Sequence, residues 1–375
     1  MVTQSQREGL RDASGSDDAD PFGYGRDSHD DCLKHFLIRW DHLMTRKMRN
    51  TQRVGSQVAR PSAMPHIWPG KENNGRDDMI EMVIEQRRRS LGGGLDVGRV
   101  LPFAKRRMVG PFVFFDHMGP LDVAAGADRS LDVRPHPHIG LSTVTYLFSG
   151  EIVHRDSVGS HQTIRPQEVN WMTAGSGITH SERFEKARAV GDHLHGIQAW
   201  VALPEGDEEV APSFSHHAGD DLPQWSEAGV RGQLIAGSAY GLTAGARTHS
   251  PLFYAHLDLD AGARAEVPPG HAERAVYVAT GAVEVDGSRY EAGNMLVLGA
   301  DVSSVIAVER STVMVLGGEP VGERFLYWNF VSSSKDRLRQ AAEDWKAGRM
   351  KLPDADDKEF IPLPDDPFLK PPAMS

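Results

Sequence analysis

At 375 residues, with 39% hydrophobic and 25% charged side chains, the chain has a globular composition and enough length for two or three domains that each bury a core. Its formal net charge of −11 excludes wholesale nucleic-acid binding, which needs clustered Lys and Arg, and its one cysteine, Cys32, excludes an intramolecular disulfide framework. No apolar run approaches the roughly 20 residues of a membrane span and the polar start lacks a signal-peptide core, so the expected location is the cytoplasm, without membrane or direct nucleic-acid partners.

Residues 1–78 differ from the rest. Gln4 to Asp31 is acidic and rich in Ser, Gly and Asp, too poor in apolar residues for a core, and is expected to be disordered. Cys32 to Asn50 places Leu33, Phe36, Leu37, Trp40, Leu43 and Met44 at helical spacing in a basic setting, which predicts a marginal helix. The whole segment reads as a disordered extension or a start placed too early.

From Met79 the texture changes to short strand-like runs broken by Gly, Pro and Asp: Met82–Ile84, Val109–Phe115, Ser142–Phe148 and Val169–Thr173. A second set follows at Gln233–Ala236, Leu252–Leu259, Ala275–Val278, Val283–Val285, Met295–Leu298 and Thr312–Leu316. This rhythm predicts an all-β chain of sandwich or barrel domains. Each set has a strand ending Tyr-x-x-x-Gly, Tyr146 to Gly150 and Tyr277 to Gly281, which points to a duplicated β-domain. The expected division is 79–204 for a first, metal-binding domain, 205–231 for a linker, 232–331 for a second domain and 332–375 for a helix and extended arm. In that last part Ser332-Ser-Ser334 offers N-cap hydroxyls, Leu338, Ala341, Ala342 and Trp345 share one side of a helix, and Gly348 stops it.

The chemistry concentrates in His136-Pro-His138 and His180-Ser-Glu182. On a strand alternate side chains share a face, so each pair aims two ligands the same way. Three imidazoles and a carboxylate suit Fe, Mn, Ni, Cu or Zn, and on a six-coordinate ion they leave two positions open. The competing reading is four hydrogen-bonded polar residues at a sheet end. His193-Leu-His195 is a second such pair without an acidic partner and reads as hydrogen bonding or surface. His154, His161, His216 and His217 fall among turn residues and are expected in solvent. His271-Ala-Glu273 has no later histidine to complete it, so the second domain is expected to be metal-free.

Four stretches resemble the pirin family of the cupin superfamily: Arg107 to Pro120, Arg134-Pro-His-Pro-His-Ile-Gly140, Asn170 to Glu182 and His195-Gly-Ile-Gln-Ala-Trp200, with Trp328 to Lys335 similar to bacterial members. The resemblance covers about Met79 to Pro364. It implies two tandem cupin barrels and one metal, Fe(II), in the first, bound by His136, His138, His180 and Glu182. The chain departs from the general cupin pattern in two places. Ser142 or Thr143 stands where an acidic ligand usually follows His-x-His, and Pro166-Gln-Glu168 replaces a Pro-x-Gly turn.

Some pirin-like proteins are similar to quercetin 2,3-dioxygenases, which open a flavonol with dioxygen. That resemblance implies a flavonol-like substrate and dioxygen, with Glu182 as catalytic base; Phe114 and His117, near the expected mouth, are candidates to line the pocket, with core or rim packing the favoured reading of both. Other members bind transcription factors or metabolic enzymes as iron-dependent regulators, which implies a protein partner instead. A monomer is expected in either case.

Overall fold

The computed structural model describes residues 79–90 and 95–364; the readings of residues 1–78, the Cys32–Asn50 helix included, and of the arm beyond 364 lie outside them. Within the described residues the duplicated all-β architecture is present as two cupin domains followed by one C-terminal helix. The first twelve strands are β1 (Ile80–Glu85), β2 (Arg87–Ser90), β3 (Asp96–Leu101), β4 (Phe112–Val123), β5 (Val133–His138), β6 (Leu141–Ser149), β7 (Ile152–Asp156), β8 (His161–Ile164), β9 (Val169–Thr173), β10 (Ile178–Arg183), β11 (Asp192–Ala202) and β12 (Ser213–His217). A short helix α1 (Glu185–Val190) joins β10 to β11.

The first barrel opposes a large sheet, in the order β12-β9-β6-β11-β4-β3-β2, to a four-stranded sheet in the order β5-β10-β7-β8. Strand alternation gives the large sheet two distinct faces. On β11, Ile197, Ala199 and Val201 join a core shared with the second domain, where Tyr254, Tyr277, Met295 and Leu316 meet them. Gln198 and Trp200, the residues between, turn into the first barrel and touch Glu182 and His138. Each large apolar side chain fully buried in the shared layer contributes about 1.5–3 kcal/mol, so the barrels are held together chiefly by this face.

The second domain's large sheet contains β1, Asn294–Leu298, Glu273–Thr280, Ser311–Gly318, Leu252–Leu259, Val230–Ala239 and Gln224–Glu227 in that order. Its smaller sheet is built from Arg264–Glu266, Ser304–Ala307, Ala282–Val285 and Ser288–Glu291. Two pairings differ from the expected division. β1, expected in the first domain, pairs antiparallel with Asn294–Leu298 of the second, Ile84 opposite Met295. Its side chains explain the choice: Ile84 is fully buried in the shared core beside Met295, and Ile80 packs on the second barrel's own core. Residues 205–231, expected as a linker, supply β12, which completes the first sheet against β9, and Gln224–Glu227, which pairs with Val230–Ala239.

Helix α2 (Lys335–Lys346) begins at Ser334, whose side chain accepts a hydrogen bond from the Arg337 N–H, and buries Leu338, Ala341, Ala342 and Trp345. Gly348 follows with φ of 66°. The described arm, 351–364, lies along the first barrel. Asp356 receives bonds from Ser181 and Arg183, and the Ile361 N–H donates to Pro135 O at 2.8 Å.

Candidate metal centre

The two ligand pairs of the sequence lie on neighbouring antiparallel strands. β5 carries His136 and His138 and β10 carries His180, with His180 directly opposite His136. One ring nitrogen from each of the three imidazoles lies within 4.8 Å of the other two, and among the described residues these form the one group of three potential ligands so arranged. All three side chains are buried, His138 and His180 to 1% exposure. Gly140 ends β5 at φ of 68°, and a Cβ there would stand 2.0 Å from Val331 O, so the tight turn and the close approach of 330–332 both require glycine.

The imidazoles are oriented so that a lone pair on each can face the centre. His136 Nδ1–H donates to Arg134 O at 2.9 Å and His138 Nδ1–H to Asn329 O at 3.1 Å; a carbonyl only accepts, so Nε2 of both rings is left unprotonated. Nε2 of His138 and of His180 are buried without a hydrogen-bond partner. Buried polar atoms are rarely left unmatched, and three convergent neutral imidazoles are a donor set for a transition metal. Burial pushes His136 down to about 4 and holds His138 and His180 well below the ordinary imidazole range, so all three are unprotonated at neutral pH and available as ligands. The residues present therefore fit a metal ion.

Glu182 falls outside the group of mutually close ligand atoms. The ladder between β10 and β5 shifts register after His180, which puts Glu182 opposite Val133. Its carboxylate is not among the mutually close ligand atoms; Oε1 instead accepts from Gln198 Nε2 at 3.4 Å, and the Gln198 amide is held from its other end by Thr145 Oγ1–H at 2.7 Å. Burial raises the Glu182 carboxyl to about 7.

Sequence reasoning missed the groups behind the ligands. His154, expected in solvent, is 5% exposed: it stacks on Phe214 of β12 with centroids 4.5 Å apart, its Nδ1 is 3.4 Å from His180 Nδ1, and its Nε2 is 3.0 Å from Asp156 Oδ2. His154-Arg-Asp156 has the same i, i+2 strand spacing as the ligand pairs and could have been found by the same rule. Asn329 and Gln198 sit inside family-like stretches, but nothing local gives their partners away.

Other expected residues lie elsewhere. His117 does not line the centre. It faces the second domain, with Nδ1 2.7 Å from the Tyr277 hydroxyl and Nε2 2.7 Å from His195 Nε2. Phe114 stacks on Trp200 at 4.0 Å, and Trp200 meets His138 edge to face at 5.0 Å, so Phe114 backs the wall of the site from the core. His193 is a surface residue paired with Asp122, and Glu273 of the His271-Ala-Glu273 pair is in an ion pair with Arg106. In the Pro166-Gln-Glu168 turn the positive φ, 66°, falls on Gln167, not on Glu168, which stands where the glycine would. A cavity of about 720 Å³ lies under the arm beside Arg155, Arg183 and Asp356, and one of about 450 Å³ beside Ser176, Thr179 and Arg349; neither is lined by the four candidate ligands.

Comparison with known proteins agrees with this geometry. Residues 94–201 match the pirin family model and residues 254–351 the model of the pirin C-terminal cupin domain. A pirin-like protein of Caulobacter vibrioides is 59% identical over 289 residues, 76% of this chain and all of that one. A crystal structure of quercetin 2,3-dioxygenase from Acinetobacter baumannii superposes with a TM-score of 0.70 at 32% identity, covering 76% of this chain and 95% of that one. A bacterial pirin from Escherichia coli, solved in complex with nickel(II), shares the fold at a TM-score of 0.51 and 19% identity, over 64% of this chain and 99% of that one. With both barrels matched and a buried three-histidine centre in the first, the chain belongs to the pirin family.

Proposed function

We propose that this pirin is a ring-cleaving dioxygenase of the quercetin 2,3-dioxygenase type, acting on flavonol-like phenols at one metal ion, Fe(II), held by His136, His138 and His180 with Glu182 beside them. The observation that carries the reading is the pairing of three convergent imidazoles, two of them with a buried Nε2 that has no partner, with a half-buried carboxyl raised to about 7. When bound, the metal supplies Lewis acidity to a phenolic oxygen and redox capacity toward dioxygen.

The chain's own residues supply proton transfer and shape. Glu182 Oε accepts the proton of the substrate hydroxyl, a task for which a group near 7 is matched to neutral pH. Gln198 donates to that carboxylate and fixes its direction, while Trp200 closes one side of the centre against water. The solved A. baumannii relative bears the name of this activity, which supports the substrate class.

The test is oxygen uptake and flavonol bleaching by the metal-loaded protein, with His136→Ala as control. Turnover that the control lacks supports the reading. A metal-loaded protein without turnover, or equal turnover by the control, sinks it and favours an iron-dependent regulatory protein.

A further inference from the structure

The three imidazoles are oriented by unlike means. His136 and His138 each face a main-chain carbonyl, a partner that no side-chain change removes and that can only accept. His180 faces another imidazole, the His154 ring at 3.4 Å, and a neutral imidazole can accept or donate at a given nitrogen according to its tautomer. The orientation of His180 is therefore set one residue further back.

That residue is Asp156. Its Oδ1 accepts the N–H groups of Val158 at 3.0 Å and Ser160 at 2.8 Å, which leaves Oδ2 to accept from His154 Nε2 at 3.0 Å. A carboxylate holds no proton to give, so His154 carries its proton on Nε2 and presents a lone pair at Nδ1. That lone pair accepts a hydrogen bond from His180 Nδ1–H, and the His180 Nε2 lone pair is left aimed at the centre, where the structure shows it buried and without a partner. Stacking on Phe214 with an interplanar angle of 19° holds the plane of the His154 ring, and its bond to Asp156 fixes which edge faces His180. On β7, Asp156 lies directly opposite His180 and His154 opposite Glu182, so one strand pairing fixes both members.

We infer that His154 and Asp156 are positioning residues that select the tautomer of His180, and thereby decide whether the third imidazole can bind a metal. This rests on the metal-centre part of the function proposed above. It adds that the affinity of the site is controlled by a side-chain relay that reaches the outer turn of β7–β8.

Asp156→Asn is the sharpest change, because it keeps the shape and replaces an obligate acceptor by a group that can donate to His154 Nε2. The relay then reverses, and His180 Nε2 gains the proton. Two readouts are taken on the full-length protein. Long-range proton–nitrogen NMR of the metal-free protein reads the His180 tautomer, and cobalt(II) titration reads affinity through the visible spectrum. Expected are a proton on Nδ1 in the wild type, a proton on Nε2 in Asp156→Asn, and a cobalt(II) Kd raised about 10- to 100-fold in the variant. His154→Gln, whose amide oxygen keeps an acceptor toward His180, is expected to bind cobalt(II) within about threefold of wild type, whereas His154→Phe falls with Asp156→Asn.

A wild-type His180 protonated on Nε2 overturns the inference, as does an Asp156→Asn affinity within twofold of wild type. If Asp156→Asn does not fold, equal affinities for His154→Gln and His154→Phe overturn it. The tautomer is measured without metal or substrate, so its failure leaves the dioxygenase reading intact. A cobalt-binding protein without flavonol turnover sinks that reading and leaves the relay.

Discussion

Gln198 donates its amide to Glu182 across the first barrel, and the same amide is anchored at its oxygen by Thr145. Amide and carboxylate come from opposite sheets, so the candidate base is aimed by the closure of the barrel itself. Gln198→Leu removes the donor and leaves the half-buried carboxylate less restrained. Oxygen uptake is expected to fall about tenfold or more at unchanged metal content, part of the roughly 10²- to 10⁴-fold that a positioned general base supplies. Wild-type turnover by this variant would count against Glu182 as the base.

Metal binding is expected to stabilise the fold, because the three ligands gather only in the native state. An ion at 100 times its Kd adds about 2.7 kcal/mol. Thermal melts of the chelator-treated and reloaded protein should show the increment, and His138→Ala should abolish it. A reloaded protein that melts with the chelated one would speak against the centre.

Each barrel sends a tyrosine to a histidine of the other: Tyr277 meets His117 at 2.7 Å and Tyr146 meets His256 at 2.8 Å. These are the two Tyr-x-x-x-Gly tyrosines of the repeated strands. Tyr277→Phe leaves His117 Nδ1 buried without a partner and is expected to cost about 1–3 kcal/mol. In melting experiments that is a loss of roughly 2–4 °C per kcal/mol.

His117 also predicts a pH dependence. Burial, with help from the neighbouring His195, lowers it from 6.5 to about 3 in the folded protein. The unfolded chain takes up this proton first as pH falls, so the contribution is intact above about 6.5 and erodes from there toward 3. The loss is about 2 kcal/mol at pH 5. Denaturant midpoints between pH 7 and 5 should fall less steeply in His117→Gln than in the wild type.

The three-histidine cluster was legible because strand period and ligand chemistry coincide: His136 and His138 share a face by their two-residue spacing, and His180 lies opposite His136 on the neighbouring strand. Strand positions and helix α2 were legible for the same local reason. Partners across the sheet were not. Periodicity reveals that Ile80–Glu85 is a strand but not that its mate is Asn294–Leu298. For His117 the sequence favours rim or core packing, with the pocket as the alternative, and the structure puts it against Tyr277 and His195, a face of β4 set by which sheet lies above it. The pairing of Glu182 with Val133, out of step with His180 and His136, comes from a register shift, which leaves no mark in composition.

The arm supplies a further test. Arg183, 2% exposed at its side chain, bonds Asp356 at 2.6 and 2.7 Å and retains Asp132 and Glu359 as further partners. Asp356→Ala removes part of a buried ion network and is expected to cost about 2–3 kcal/mol, with Asp356→Asn costing less. Urea midpoints should shift in that order at constant slope.

The crossing of β1 also sets an order of events at the ribosome. Ile80–Glu85 is made before every other described strand, yet its hydrogen-bonding mate, Asn294–Leu298, emerges only when most of the chain has been synthesised. The first barrel has all its own strands long before then, while the native mate of β1 has not yet been made. When the late strand arrives, the waiting one covers its open edge, the kind of surface through which unfinished sheets stick to one another. The oldest stretch of the described chain thus acts as a built-in cap for the youngest sheet.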